Sequence, residues 1–383
     1  MNFFFIIWAN PKFYQTLIFL AQYLSKKNYK VYILAKKPKN YQNIIEKINF
    51  GRNTKILYAP ETPFFLPNFF NFFIFIFFCL FKCFSIKPKH IIFFNKFALF
   101  CLPFVRLFKR GKFVYHNFDF EIYKNLKSSK QKALAFLELF LSNFCDYLIF
   151  PSFERSQIFK KNSKNKKSFF FEFKNCFPKT YSPQKKNRFK IFLKKKNILN
   201  KKIICHLGSI GPGHFIEQII NSAVYIKDEF VVIIAGSPMN KYDEYLQKKI
   251  DKLGLSNKVY IFKNISNNFW FEILFKSSLG LCFYENVHFS HRYMAGTSQK
   301  FNNYILANIP MITNNNKDFS NFKKYYDIFD VVNASNPKNI ASKINSLLTN
   351  KTRYCKIKKN LKTSFFHDLN FEKQYEKSYE TFL

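Results

Sequence analysis

Short apolar runs alternate with longer stretches of mixed polarity along most of the chain. "FFFIIW" (residues 3–8) and "KVYILA" (residues 30–35) are compact and rich in aromatic and β-branched residues, which predicts strands. Between them Leu17, Leu20, Ala21 and Leu24 recur at helical spacing and place an amphipathic helix over about residues 13–26. Further strands are predicted at residues 55–59, 90–94, 112–116 and 147–152, with helical stretches between most of them. Two lysine-rich segments of low periodicity follow, residues 160–168 and 182–202, and read as a surface loop and a linker. The alternation then restarts. Strands are predicted at 202–208, 230–236, 258–262, 279–284, 309–313 and 328–332. Helices are expected around 215–223, 242–253, 269–276 and 298–307, and two more near the end.

Strands that alternate with amphipathic helices build parallel sheets covered on both faces. The predicted class is α/β, with two Rossmann-like domains at residues 1–181 and 202–365 joined by a basic linker at 182–201. The length, 383 residues, suits two cores better than one.

Hydrophobic residues make up 48% of the chain, enough to exclude disorder. The balance of 62 Lys+Arg against 23 Asp+Glu gives a net charge of +39, which suits nucleic acid, an anionic membrane surface or phosphorylated substrates. The dominance of Lys, Asn, Ile and Phe is also what AT-rich coding sequence produces, so charge alone selects no partner. Eight scattered cysteines contain no C-x-x-C pair, which points away from zinc and from a disulfide framework and towards a reducing cytoplasm. The N-terminal "MNFFFIIWANPKF" lacks a basic leader and reads as a first buried strand, not a signal peptide. The phenylalanine-rich run at residues 68–84 has an uninterrupted apolar part too short for a membrane span of ~20 residues, leaving a core helix or one lying in a membrane interface.

Candidate chemistry gathers in three loops of the second half, because open parallel sheets bind ligands beyond the C-terminal ends of their strands. "GSIGPGH" brings Gly208, Ser209, Gly211, Gly213 and His214 between a strand and its helix, and Gly236 closes the next strand. The spacing G-x-x-G-x-G is not the dinucleotide fingerprint. A long excursion from Glu285 to Gln299 carries His288, His291 and Arg292, but no companion carboxylates or thiols argue for a metal there. In "GTSQKFNNYILANIPMI", Ser298 is a good N-cap and Lys300 falls in the first turn. A lysine there opposes the helix dipole unless an anion shares the site.

These stretches, with "FVVIIAG" and "SLGLCFYEN", resemble the donor-binding domain of the GT-B glycosyltransferases of family 4, the group 1 transferases. "SQKFNNYILANIPMI" matches the family's Ser, Lys, Tyr, Pro and Ile positions, whereas the family's glutamate corresponds to Asn303 and its earlier partner to Ala295. The likeness covers nearly the whole chain. It implies two Rossmann-like domains facing across a cleft, with a terminal helix at 366–383 returning to the first. It further implies transfer of a sugar from a nucleotide-diphosphate sugar, with retained configuration and no metal. Lys300 would carry the diphosphate, with Gly208, Ser209, Gly211, Gly213, His214, Gly236, Glu285, Thr297, Ser298, Gln299 and Asn303 around the donor. His116 becomes the second catalytic candidate, and Asp119 and Glu121 the acceptor side. Expected partners are the nucleotide-sugar, a glycan or lipid-linked acceptor, and peripheral contact with an anionic membrane, without nucleic acid. The alternative is a catalytically degenerate binding protein of the same fold, engaging anionic lipid or nucleic acid.

Overall fold

A computed structural model describes residues 1–37, 49–61, 70–107, 111–165, 167–183, 186–287 and 289–383. These divide into two compact units: Met1–Asn175 together with Gln374–Leu383, and Cys176–Lys373.

Unit one is built on β1 (Asn2–Ile7), α1 (Gln15–Lys26), β2 (Lys30–Ala35), β3 (Thr54–Tyr58), α2 (Phe70–Ile86), β4 (His90–Phe94), α3 (Asn95–Leu99), α4 (Leu102–Arg106), β5 (Lys112–His116), α5 (Ser129–Ser142), β6 (Tyr147–Phe150), α6 (Phe153–Ser163) and β7 (Phe169–Glu172). Its seven strands pair in parallel in the order β3-β2-β1-β4-β5-β6-β7. Central strands are mostly unbroken apolar runs because helices cover both faces. Phe3, Phe4, Phe5 and Ile6 are all fully buried. On α1 the stripe Leu17, Leu20, Ala21 and Leu24 is buried as its spacing requires.

Unit two follows with α7 (Arg188–Lys195), β8 (Lys202–Leu207), α8 (Ile216–Ser222), β9 (Phe230–Gly236), α9 (Tyr242–Lys252), β10 (Val259–Lys263), α10 (Asn267–Lys276), β11 (Leu279–Cys282), α11 (Gln299–Leu306), β12 (Met311–Asn314), α12 (Lys317–Tyr325), β13 (Phe329–Val332), α13 (Pro337–Thr349) and α14 (Lys351–His367). The sheet is again parallel, in the order β10-β9-β8-β11-β12-β13. Strand order, not strand direction, reverses between β8 and β11, so the loops leaving those two strands flank the point where such sheets take ligands.

Two segments differ from the pattern reading. The stretch expected to be linker contains α7, whose Phe189 and Leu193 are buried within unit two; lysines on its outer face had hidden a two-residue apolar stripe. From Phe70 onwards, where the described residues resume, the phenylalanine-rich run is a helix with two apolar faces. Phe75, Ile76, Cys79 and Cys83 pack inward, while Phe73, Phe77, Phe81 and Phe84 are exposed. Core packing explains only the inward face.

The chain ends with α15 (Phe371–Lys377) and a short 3-10 turn at Tyr379–Thr381. From Gln374 onwards these residues belong to unit one. The Phe382 ring stacks on Tyr147 at 4.0 Å, Tyr375 lies against Tyr23, and the Tyr379 hydroxyl meets His116 Nδ1 at 2.7 Å.

Candidate functional site

At the reversal point of unit two, β8 runs into the glycine loop and β11 runs into Tyr284 and Glu285. Gly236 is obligatory for this arrangement, since a Cβ on it would fall 1.5 Å from the Gly208 carbonyl oxygen. The loop is pinned to the residues after β9: Ile210 N–H donates to the Ser237 carbonyl, and Met239 N–H to that of Ile210. Gly213 has φ of +91°, a left-handed conformation that an L side chain resists. Its carbonyl accepts from Glu285 N–H at 2.8 Å, which ties the first predicted loop to the second. The Glu285 carboxylate in turn accepts from Phe215 N–H, and His291 Nδ1 lies 2.9 Å from the Glu285 carbonyl.

Helix α11 closes the third side. Ser298 caps it by accepting from Phe301 N–H, and its hydroxyl also meets the Tyr284 hydroxyl. Tyr304 anchors the helix: its hydroxyl accepts from Leu207 N–H and donates to the Cys205 carbonyl. Lys300 therefore lies in the first turn, as expected, but it does not project into solvent. The residue is 5% exposed and its aliphatic stem lies against Gly208. The ammonium sits over the Tyr284 ring, 4.5 Å from its centroid, with no hydrogen-bond partner among the described residues.

Burial pushes the Lys300 ammonium down to about 8. Burial, helped by the Lys300 ammonium, lowers His214 to about 3, and burial with the same ammonium holds His206 well below the ordinary imidazole range. Both imidazoles are therefore neutral at pH 7. The site is one buried cation ringed by neutral rings, backbone amides and glycines. Isolated buried charge is costly, so this arrangement suits an incoming anion.

Not every predicted residue joins it. Thr297 Oγ1 donates to the Tyr293 carbonyl, a turn-stabilising bond. Asn303 is buried and its Oδ1 accepts from Gln299 Nε2 at 3.3 Å, so this pair forms within the helix. Ser209 and Gly211 are part of the pinned loop. Tyr284 and His206 went unnoticed in the sequence because each sits inside an apolar strand run, with nothing to separate it from core.

In unit one, His116 ends β5 as predicted but is fully buried, stacked on Phe94 and packed against Phe118 and Phe173. Burial lowers it to about 3, and among the described residues its ring has one hydrogen-bond partner, the Tyr379 hydroxyl. It is thus placed as a core histidine, away from any open surface of the unit. Asp119 is exposed with its Oδ1 3.5 Å from Arg155, and Glu121 pairs with Lys96 at 2.9 Å. Next to them lies a carboxyl that sequence reading passed over. Glu138 on α5 is buried and accepts from Tyr115 at 2.6 Å and from Asn117 Nδ2 at 3.0 Å.

Among the described residues no group of three or more His, Cys, Asp or Glu could hold a metal ion, and His288 lies outside them. None of the eight cysteines is in a disulfide; seven are buried and Cys355 is exposed.

Two parallel Rossmann-like sheets in one chain, with the last residues returned to the first unit, define the GT-B fold of glycosyltransferases. The fold is shared over full length with Anabaena HepE in complex with UDP-glucose, at a TM-score of 0.76 and 12% identity, covering 100% of this chain and 99% of that one. A glycosyltransferase from Rickettsia africae aligns with a TM-score of 0.72 and 14% identity over 99% and 97% of the chains. WaaG, a glycosyltransferase involved in lipopolysaccharide biosynthesis, gives 0.64 and 12% over 98% of both. No protein-family model and no curated protein matches the chain.

Proposed function

We propose that this chain is a glycosyltransferase that moves a sugar from a nucleotide-diphosphate sugar to a glycan or lipid-linked acceptor in surface polysaccharide or lipopolysaccharide-type synthesis. The observation that carries the reading is Lys300: a buried ammonium at the start of a helix, with no hydrogen-bond partner among the described residues, against a glycine loop, where the strand order of a parallel sheet reverses. A diphosphate leaving group develops negative charge as the glycosyl bond breaks, and a fixed cation with helix N-terminal amides stabilises that charge without a metal. HepE, which shares the fold, holds UDP or UDP-glucose in its structures, in keeping with such a donor. Retention of configuration follows from the family likeness. A cytoplasmic location, peripheral on the inner face of the membrane, goes with a lipid-linked acceptor.

The test is a melting-temperature screen with UDP, GDP and their sugars, followed by turnover of whichever sugar binds. Specific binding raises the melting temperature. Lys300→Ala should abolish that rise and lower turnover by at least about a hundredfold, the usual loss when one charge-stabilising donor is removed. Unchanged turnover would refute the assignment. A second reading, a catalytically degenerate binding protein, draws on Asn303, whose amide replaces the family's carboxylate and is already bonded to Gln299. Nucleotide binding without turnover in the wild type would favour it.

A further inference from the structure

Unit two contains a cavity of about 250 Å³ between α7 and α10, and none of its lining residues belongs to the glycine loop, the 285–299 loop or α11. Phe189, Phe271 and Phe275 form its apolar walls, and Glu272 lines it from α10. Glu272 is 8% exposed. Its Oε2 accepts from Phe189 N–H at 2.8 Å, holding a first-turn amide of a helix whose N-cap residue, Asn187, makes no side-chain cap bond. Its Oε1 is buried with no hydrogen-bond partner among the described residues. Lys276 follows Glu272 by four residues, the helical spacing at which glutamate and lysine ordinarily pair, yet it is not bonded to Oε1. A buried carboxylate oxygen without a donor is costly, so the fold keeps an acceptor that these neighbours do not use.

The rim has the opposite sign. Lys186, Lys190 and Lys276 line the same cavity and are exposed, and the positive end of α7 lies beside them. A simple ammonium ligand would satisfy Oε1 but be repelled by the three lysines. A simple anion would suit the lysines but be repelled by Oε1. A ligand with a hydroxyl donor and an acidic group answers both, through a charge-assisted bond to Oε1 and a phosphate or carboxylate among the ammonium groups. The phenylalanine walls call for an apolar face as well, which a pyranose ring presents through its C–H groups. At about 250 Å³ the cavity falls below the range of roughly 300–1,000 Å³ usual for drug-sized ligands, which suits one ring and excludes a nucleotide-sugar.

We infer that the α7–α10 cavity of unit two binds an acidic monosaccharide. A ring hydroxyl donates to Glu272 Oε1, the ring lies against Phe271 and Phe275, and Lys186, Lys190 and Lys276 hold the phosphate or carboxylate. The pattern of the sequence placed residues 182–201 in a linker, which left this segment without chemistry. The site is separate from the one built around Lys300. It stands on the cavity and its unused acceptor and not on sugar transfer, so either reading can fail without the other.

The experiment is isothermal titration of the full chain with glucose 1-phosphate, glucuronic acid, glucose and inorganic phosphate. At least one of the two acidic sugars should bind, at least about tenfold more tightly than glucose or inorganic phosphate, and the one that binds identifies the acidic group. Glu272→Gln keeps an oxygen for the Phe189 amide and should hold the melting temperature. It should weaken the acidic sugar at least about tenfold, the usual effect of losing a hydrogen bond to a charged group. The double variant Lys186→Ala, Lys276→Ala should also weaken the acidic sugar, because both side chains are exposed and act on its charge. Lys300→Ala should leave that affinity unchanged. Absence of binding by both acidic sugars overturns the proposal, and so does affinity that survives Glu272→Gln. Inorganic phosphate or glucose binding as tightly as the acidic sugars overturns it too, since one half of the ligand would then be superfluous. Loss of binding in Lys300→Ala would put the sugar at the nucleotide site and likewise overturn it.

Discussion

Lys300 is held in a place that costs stability. An ammonium displaced from 10.5 to about 8 by burial destabilises the fold by about 3 kcal/mol when protonated, at roughly 1.4 kcal/mol per pH unit. The unfolded chain binds the proton more tightly, so stability should rise with pH between about 8 and 10.5 and be flat below 8. Lys300→Met, which fills the same volume without charge, should raise the ligand-free melting temperature while removing any response to nucleotide. Calorimetry with and without UDP checks both. Glu138 has the opposite linkage. Burial raises its carboxyl to about 7 despite the Tyr115 bond, so the folded state favours the protonated form and stability should fall as pH rises from about 4.5 to 7. Glu138→Gln keeps an oxygen for Tyr115 and Asn117 and should be about 1–3 kcal/mol more stable than wild type at pH 8 by urea denaturation, with the gap closing towards pH 4.5.

Strands of both sheets were readable because parallel sheets buried on both faces write themselves as unbroken apolar runs. "FVVIIAG" became β9, all of it buried. Edge elements were harder. Among the described residues strand β7 pairs with β6 alone and is exposed or half-buried, so "FFFE" beside a lysine cluster carried little signal. The lysine in the first turn of α11 could be singled out because it broke the dipole rule. Its partner ring, Tyr284, could not, since an aromatic at the end of a strand breaks no rule. The junction between β9 and the glycine loop gives a direct check on this packing. Gly236→Ala forces a methyl group into the Gly208 carbonyl and should destabilise by at least about 2 kcal/mol, with nucleotide binding weakened because the loop must shift. Gly254→Ala at the end of α9 is the comparison: its φ of +67° is strained, but no atom lies within 4 Å, so it should cost only about 1 kcal/mol and leave binding intact.

Taken together, unit one is assembled from both ends of the chain. Tyr379, fully buried, bonds His116, while Phe382 covers Tyr147 and Phe171. Removing residues 374–383 should strip this cover from β5, β6 and β7 and leave an imidazole and several rings facing water. The expected result is a loss of several kcal/mol, seen as an earlier unfolding transition of one unit with the other little changed. This discontinuity orders events during translation. The first sheet leaves the ribosome early, yet it waits for the whole intervening unit to be made before its own closing residues arrive. The half that is synthesised first is the half that is finished last, and expressing residues 1–175 alone should give a product that precipitates unless the missing peptide is supplied to it.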